Sequence, residues 1–290
     1  VKIEGRARGW VLSASGMLLV STDSFFIRWS EEDSWTIAFW VSFFSLILYT
    51  GIGLVMKEPD PVRAFRSAGL PLVVISVGAT LSQLMFVTAV TRTSVANVVV
   101  MVAATPILAA LVGKAFFGES TSPRVWRAIA ITFSGVMVIV ARSVGEPTLD
   151  GDLLALGAVT AFAINMNIWR RWPEMSRVVG LGTAAVLVMI VSASFGVNYS
   201  LDGRALFAVI GMGLIFNPMG RLLHTHAPRF APAGEVAMFT PVETVAATIW
   251  AWIGFSEAPE SWTVVGGVIV IAGMLYGTLG RNTHADSAIV

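Results

Sequence analysis

The sequence predicts an all-α polytopic membrane protein, with ten transmembrane helices arranged as two inverted five-helix repeats. Three observations predict it. Ten apolar stretches fill the 290 residues almost from end to end, Lys and Arg collect on alternate connections, and the two halves share a common register.

A spanning helix needs roughly 20 mainly apolar residues, because bilayer hydrocarbon is about 30 Å thick. The predicted spans are 9–29, 34–56, 69–91, 94–117, 123–142, 153–172, 178–197, 205–227, 231–255 and 261–280. Hydrophobic residues make up 56% of the chain and charged residues 13%, where soluble domains carry roughly 25% charge. Mean hydropathy is +0.77. Buried helices of a large soluble protein would show polar faces, and that periodicity is missing. The lipid bilayer is therefore the first partner. A net charge of +1 gives no basic excess for nucleic acid. The chain has no Cys, which removes disulfides, thiolate metal sites and thiol nucleophiles. The first stretch follows Lys2, Arg6 and Arg8, yet it is too long for a signal peptide, carries Asp23 and lacks a small-residue cleavage site.

Orientation follows from the connections, since cytoplasmic loops retain positive charge. One set carries Lys2, Arg6 and Arg8, then Lys57, Arg63 and Arg66, then Arg124 and Arg127, then Arg170, Arg171 and Arg177, then Arg229 and Arg281. The other set has Arg28, Arg92, Arg142 and Arg204, with acidic clusters at Glu31, Glu32, Asp33 and at Glu146, Asp150, Asp152. Both termini are thus expected to be cytoplasmic.

The register between halves is constant. Glu119 and Glu257 (257 − 119 = 138), Gly135 and Gly273, Phe117 and Phe255, Ala109 and Ala247, and Val98 and Val236 pair by one offset. A similar offset (170 − 28 = 142) sets Asp23 to Arg28 beside Asn165 to Arg170. Residues 1–144 and 145–290 form the two units. Five helices per unit is an odd number, so the copies lie in opposite orientation. Inverted repeats characterise secondary transporters, with the substrate site near the midplane where the halves meet.

Thr93-Ser94-Val95-Ala96-Asn97, Thr105-Pro106, Gly118-Glu119 and the Gly135 helix resemble the EamA repeat of the drug/metabolite transporter superfamily. Ala233-Gly234-Glu235-Val236-Ala237, Glu243, Trp250, Trp252, Glu257, Gly266-Gly267 and Gly273 form a similar second copy. The resemblance implies a ten-helix bundle whose central cavity is lined mainly by helices 1, 3, 4, 6, 8 and 9. It also implies outward movement of small metabolites, often amino acids, across the bacterial cytoplasmic (inner) membrane. Two positions depart from the pattern: Val41 stands after Phe39-Trp40 where many relatives carry Arg, and Ser256 replaces the glycine of the Gly-Glu pair.

Ionisable residues at membrane depth are costly and mark function by default. Glu243, near the middle of helix 9, is read as a substrate contact or the carrier of a coupling proton; structural pairing is the alternative. Glu235, eight residues earlier, can share its cavity-facing surface or sit hydrated near the cytoplasmic end. Asn97, its repeat partner, is an interhelix hydrogen bond or a cavity contact. Asp23 has a turn's separation from Arg28, which predicts an Asp–Arg pair near the outer surface; an acid at an outer gate is the sharper reading. Of Asn165 and Asn167, two apart, Asn165 is expected in the cavity by symmetry with Asp23.

Helix 8 ends in Asn217-Pro218 and Arg221-Leu222-Leu223-His224-Thr225-His226. Pro218 predicts a kink. Arg221 and His224 share a helix face. Arg221 either snorkels to the cytoplasmic surface, serves as countercharge to Glu243 or Glu235, or anchors a substrate carboxylate with its planar fork. His224 and His226 point different ways, so no metal site is expected. Gln83 occupies the matching place in helix 3. Trp40 is a candidate wall of the pocket, although aromatics at this depth more often anchor or pack.

The expected function is a secondary active transporter, an exporter, of small polar metabolites such as amino acids or related amphoteric compounds. It needs no cofactor beyond proton coupling, and a homodimer is compatible with the sequence. An intramembrane enzyme would need a nucleophile–base pair or metal ligands at mid-depth, and neither motif is present. A channel would show rings of like groups. A lipid or amphiphile flippase, or a membrane-embedded sensor, is the alternative.

Overall fold

The computed structural model describes residues 3–92, 98, 101–140, 149–256 and 258–279, and all regular structure among them is helical. The first span is two pieces, α1 (Ile3–Val20) and α2 (Asp23–Ser30). Next come α3 (Ser34–Val55), a short surface helix α4 (Pro61–Ala68), α5 (Leu70–Arg92), α6 (Thr105–Phe117) and α7 (Pro123–Val140). The later part holds α8 (Leu149–Arg171) and α9 (Arg177–Ser192). After them, α10 (Gly203–Gly211) runs through a π-helical turn, Met212–Phe216, into α11 (Asn217–His226). The chain closes with α12 (Ala233–Ala237), α13 (Pro241–Phe255) and α14 (Ser261–Leu279).

Among the described residues, eight segments are long and apolar enough to cross a membrane, so the chain is a multi-pass membrane protein. Two of the ten predicted spans are not in that set. In the predicted span 94–117, residues 94–97, 99 and 100 lie outside the described residues, and α6 alone has 13 residues. The other is α7, with 18 residues and with Arg124 and Arg127 in its opening turns. Apolar residues cover the outside: Leu54 is 77% exposed and Val55 83%, as lipid contact requires and water would not favour.

Three predicted continuous spans are interrupted, each for a local reason. At Ser21–Thr22, hydroxyls return to the chain: Ser21 Oγ donates to Leu18 O (2.6 Å), Thr22 Oγ1 to Leu19 O (2.8 Å) and Ser24 Oγ to Ser21 O (3.0 Å). Such back-bonding bends helices. Near residue 104, Thr105 Oγ1 donates to Val102 O (2.5 Å) and Pro106 opens α6. The same device recurs before α13, where Thr240 Oγ1 donates to Ala237 O (2.8 Å) and Pro241 opens the helix. The Thr-Pro pair thus aligns Thr105 with Thr240, whereas the constant offset aligned Thr105 with Glu243. The predicted kink at Pro218 takes the form of the π turn just before it. Proline cannot donate to the carbonyl four residues back, and the wider turn absorbs the mismatch.

Lipid tails provide no hydrophobic drive between helices, so close backbone packing takes over. Helices α7 and α14 run antiparallel with backbones nearly touching. A Cβ on Gly135 would lie 2.8 Å from Val270 N, and one on Gly273 2.8 Å from Thr132 N. Gly266 faces Ile139 and Gly277 faces Ala128 in the same seam. Helix α5 packs on α8, α3 on α9, α1 on α11, and α6 on α8 and α12.

A central relay at the helix breaks

The breaks place two acids at the starts of half-helices inside the membrane. Asp23 lies in the first turn of α2 and Glu243 in the first turn of α13, where the helix dipole favours negative charge. Asp23 does not pair with Arg28; Arg28 lies over the Phe255 ring, 4.4 Å from its centroid. Asp23 Oδ2 instead accepts a 2.5 Å hydrogen bond from Asn217 Nδ2, while Asn217 Oδ1 accepts from Arg221 Nε at 2.9 Å. The Asn217 amide therefore relays between a carboxylate and a guanidinium. Asp23 Oδ1 is buried with no hydrogen-bond partner. Glu243 is half-buried, and the Arg221 charge acts on it and on Asp23 together.

Arg221 and Asn217 face a cavity of about 30 Å³ between α3, α5, α9 and α11, the space of about one water molecule. Ser42, Ser45, Tyr49 and Gln83 complete its polar lining, and Val41, Ala79 and three small or apolar residues of α9 its apolar part. Ser45 Oγ donates to Gly213 O (2.9 Å), binding α3 to the π turn. Val41 and its neighbour Ser42 thus line this cavity where the family pattern favours Arg. A larger cleft of about 410 Å³ opens at the ends of α2 and α13, between Phe25, Arg28, Thr248 and Phe255. The smaller cavity is the candidate site, because its polar groups converge and Arg221 is fixed from behind.

His224 lies one turn beyond Arg221, fully buried and stacked on Phe162 with ring centroids 5.7 Å apart. Ser13 Oγ donates its single proton to Val236 O (2.8 Å), so His224 Nδ1 donates to Ser13 Oγ (3.0 Å). His224 Nε2 is buried without a partner. Glu235 is separate from the relay: Trp10 Nε1 donates to its Oε2 (3.2 Å) and Arg6 lies 3.6 Å from its Oε1. Asn165 Nδ2 donates to Ile75 O (3.3 Å), and Asn167 Nδ2 to Ala109 O and Ala163 O (2.9 Å each). Both asparagines tie α8 to its neighbours. Trp40 Nε1 donates to Asn198 O (3.0 Å) among Phe39, Phe43 and Phe44, away from the relay. Asn97 lies outside the described residues. The structure therefore sets Arg221 and Gln83 around one space, with Asp23 joined to it through Asn217 and with Glu243 and His224 in electrostatic range of Arg221. Glu235, Asn165 and Trp40 stand elsewhere.

Two arginines read as loop charges turn out to organise one end of the bundle. Arg170 Nε bonds Glu119 Oε1 at 3.2 Å, and its Nη1 donates to Pro228 O (2.9 Å) and Arg229 O (3.2 Å). Arg177, 1% exposed, donates to Met175 O (2.8 Å), Trp169 O (3.2 Å), Thr225 O (3.4 Å) and Pro173 O, and lies over the Trp169 ring. Together with Arg6–Glu235 they close this end. The one sequence signal for the first clamp was the Gly118-Glu119 pair.

At the other end, Arg204 bonds Glu31 (2.7 Å), and Asp33 caps α3 by accepting from Trp35 N (2.8 Å) and Thr36 N (3.1 Å). The hydrogen bond and charge of Arg204 hold the Glu31 carboxyl below the usual range. Partial burial pushes the Asp33 carboxyl up, but hydrogen bonds from Thr36 and Trp35 outweigh it and leave the carboxyl below its ordinary value.

Comparison with known proteins agrees with this architecture. A solved crystal structure superposes with a TM-score of 0.78 at 16% identity, over 94% of this chain and 98% of that one, which establishes a shared fold. An uncharacterized transporter of Archaeoglobus fulgidus is 22% identical over 176 residues, covering 57% of this chain. That match spans 61% of the relative's length. Residues 7–141 match the EamA-like transporter family. Over those residues the chain is similar to the EamA-like transporters, which belong to the drug/metabolite transporter superfamily.

Proposed function

We propose that the chain is a secondary active transporter that exports small polar metabolites, amino acids or related amphoteric compounds, by alternating access. The single observation that carries this reading is the Asp23–Asn217–Arg221 relay, set at a helix break and facing a cavity between both halves. Broken helices at mid-depth are where carriers of this general design hold substrate. Arg221 receives a carboxylate, and Glu243 offers an acid for an amino group. The membrane is the bacterial cytoplasmic one, with the Lys- and Arg-rich connections inside.

The α7–α14 seam supports an inverted repeat. Moving residue numbers by 138 exchanges the Gly135–Val270 contact with Gly273–Thr132, and Gly277–Ala128 with Gly266–Ile139. A seam that maps onto itself in this way, with antiparallel partners, is what a two-fold axis in the membrane plane produces. On this reading the two halves exchange conformations, and the clamps at Glu119–Arg170 and Arg6–Glu235 open when the cavity faces the cytoplasm.

The test is counterflow. Purified protein in liposomes loaded with unlabelled amino acids should transiently accumulate labelled amino acid, and Arg221→Gln should abolish it. Linear, non-saturable flux would indicate a pore, and headgroup-dependent lipid movement without solute exchange would indicate a flippase.

A further inference from the structure

We infer that the relay binds one small carboxylate and one proton together, the anion on Arg221 and the proton on Asp23. The inference rests on the transport reading above and narrows its ligand. Arg221 uses Nε on Asn217 Oδ1, and neither of its Nη atoms has a hydrogen-bond partner among the described residues. Asn217 therefore orients the guanidinium and leaves its outer edge to the cavity, where Tyr49, Gln83 and Ser42 stand. That edge is a two-pronged donor suited to a carboxylate, and the cavity of about 30 Å³ must widen between α3 and α9 to admit one.

Charge then dictates a proton. Arg221 is the cation that acts on Asp23, Glu243, Tyr49 and His224, the titratable groups around it on α2, α13, α3 and α11. Two acids and one guanidinium are balanced when one acid is ionised. Asp23 is the acid joined to Arg221 through Asn217, whereas no hydrogen bond to the Glu243 carboxylate exists among the described residues. An arriving carboxylate replaces Asp23 as the counterion, and an added negative charge at membrane depth is costly. The proton goes to Asp23, whose Oδ1 has no existing bond to lose. Bound species then comprise Arg221 and the ligand as an ion pair, with Asp23 neutral beside Asn217. This assigns the coupling role to Asp23 in place of Glu243. Because anion and proton travel as a neutral pair, transport of such a ligand moves no net charge, and its export is driven by the ligand's own outward gradient.

The probe is propionate, with propionamide as its uncharged counterpart, on the purified full chain in detergent. Between about pH 6 and 8 propionate stays ionised. Propionate should raise the unfolding midpoint and propionamide should not. Its affinity should fall as pH rises, approaching tenfold per pH unit where Asp23 is ionised in the free protein, and Asp23→Asn should bind with a flat profile. Proton uptake by the wild-type protein in weak buffer, one per propionate, gives the same answer should that variant not fold. A flat wild-type profile, no proton uptake, or equal binding of propionamide overturns the inference. If alanine shows counterflow while propionate neither binds nor moves, transport stands and this inference falls. If propionate binds with a proton but no solute is exchanged, the transport reading falls alone.

Discussion

Asp23 and Asn217, 194 residues apart, are joined by a 2.5 Å hydrogen bond in the interior of the bundle. The bond exists because two spans are locally irregular. Ser21 and Thr22 break the first span so that Asp23 begins a half-helix, and the π turn before Pro218 presents Asn217 on the facing side. A regular helix at either place would rotate one partner away.

Asn217→Leu keeps the branched side-chain skeleton, with two bulkier methyl groups, and removes both bonds. It leaves the Asp23 carboxyl and the Arg221 Nε unpaired, which should cost about 1–3 kcal/mol. Thermal unfolding in detergent should show this loss, and counterflow should be absent. Undiminished transport by a folded variant would remove the relay from the mechanism.

The glycine seam makes a sharper stability prediction. Gly135→Ala and Gly266→Ala each drive a methyl into backbone of the opposite helix, at 2.8 and 2.5 Å from a glycine carbonyl. Each should destabilise by about 1–3 kcal/mol. Gly51→Ala meets nothing within 4 Å and should leave the midpoint unchanged or slightly raised. Equal effects at all three sites would contradict close approach at the seam.

Arg177→Lys tests the buried clamp. A lysine is one compact charge and cannot span the carbonyls of Trp169, Met175 and Thr225 that the guanidinium reaches. Stability should fall by about 1–3 kcal/mol, measured by unfolding of the two proteins side by side.

The outer cap predicts an acid-sensitive contribution. Because the folded Asp33 carboxyl lies below its unfolded value, its stabilisation is present above about pH 4. It is lost as pH falls through the folded value. Asp33→Ala should cost about 1 kcal/mol at neutral pH, and the difference from wild type should vanish in acid.

Much of this was legible in the chain. Span positions follow from hydropathy, because lipid exposure demands apolar side chains whatever the packing. Asp23, Arg221, Glu243 and Gln83 stood out because polar groups are rare at that depth. What sequence could not give was partners. Local spacing pairs Asp23 with Arg28, but the helix break between Val20 and Asp23 turns the carboxylate inward to a residue on a distant span. Helical phase links Glu235 with Glu243, yet the turn at Met238–Thr240 resets that phase and sends Glu235 to Arg6 and Trp10. Arg170 and Arg177 looked like loop charges, since their acceptors are mostly backbone carbonyls, which carry no residue signature.

The most direct measurement uses the absence of native cysteine. Single cysteines at Ala184, in the Arg221 cavity, and at Leu54, on the lipid-facing surface, would be exposed to a membrane-impermeant thiol reagent from each side of sealed vesicles. Alternating access predicts that the Ala184 position reacts from both faces and is protected by a transported ligand, while the Leu54 position shows no such protection. Reaction of the Ala184 position from one face alone, or from neither, would contradict the account.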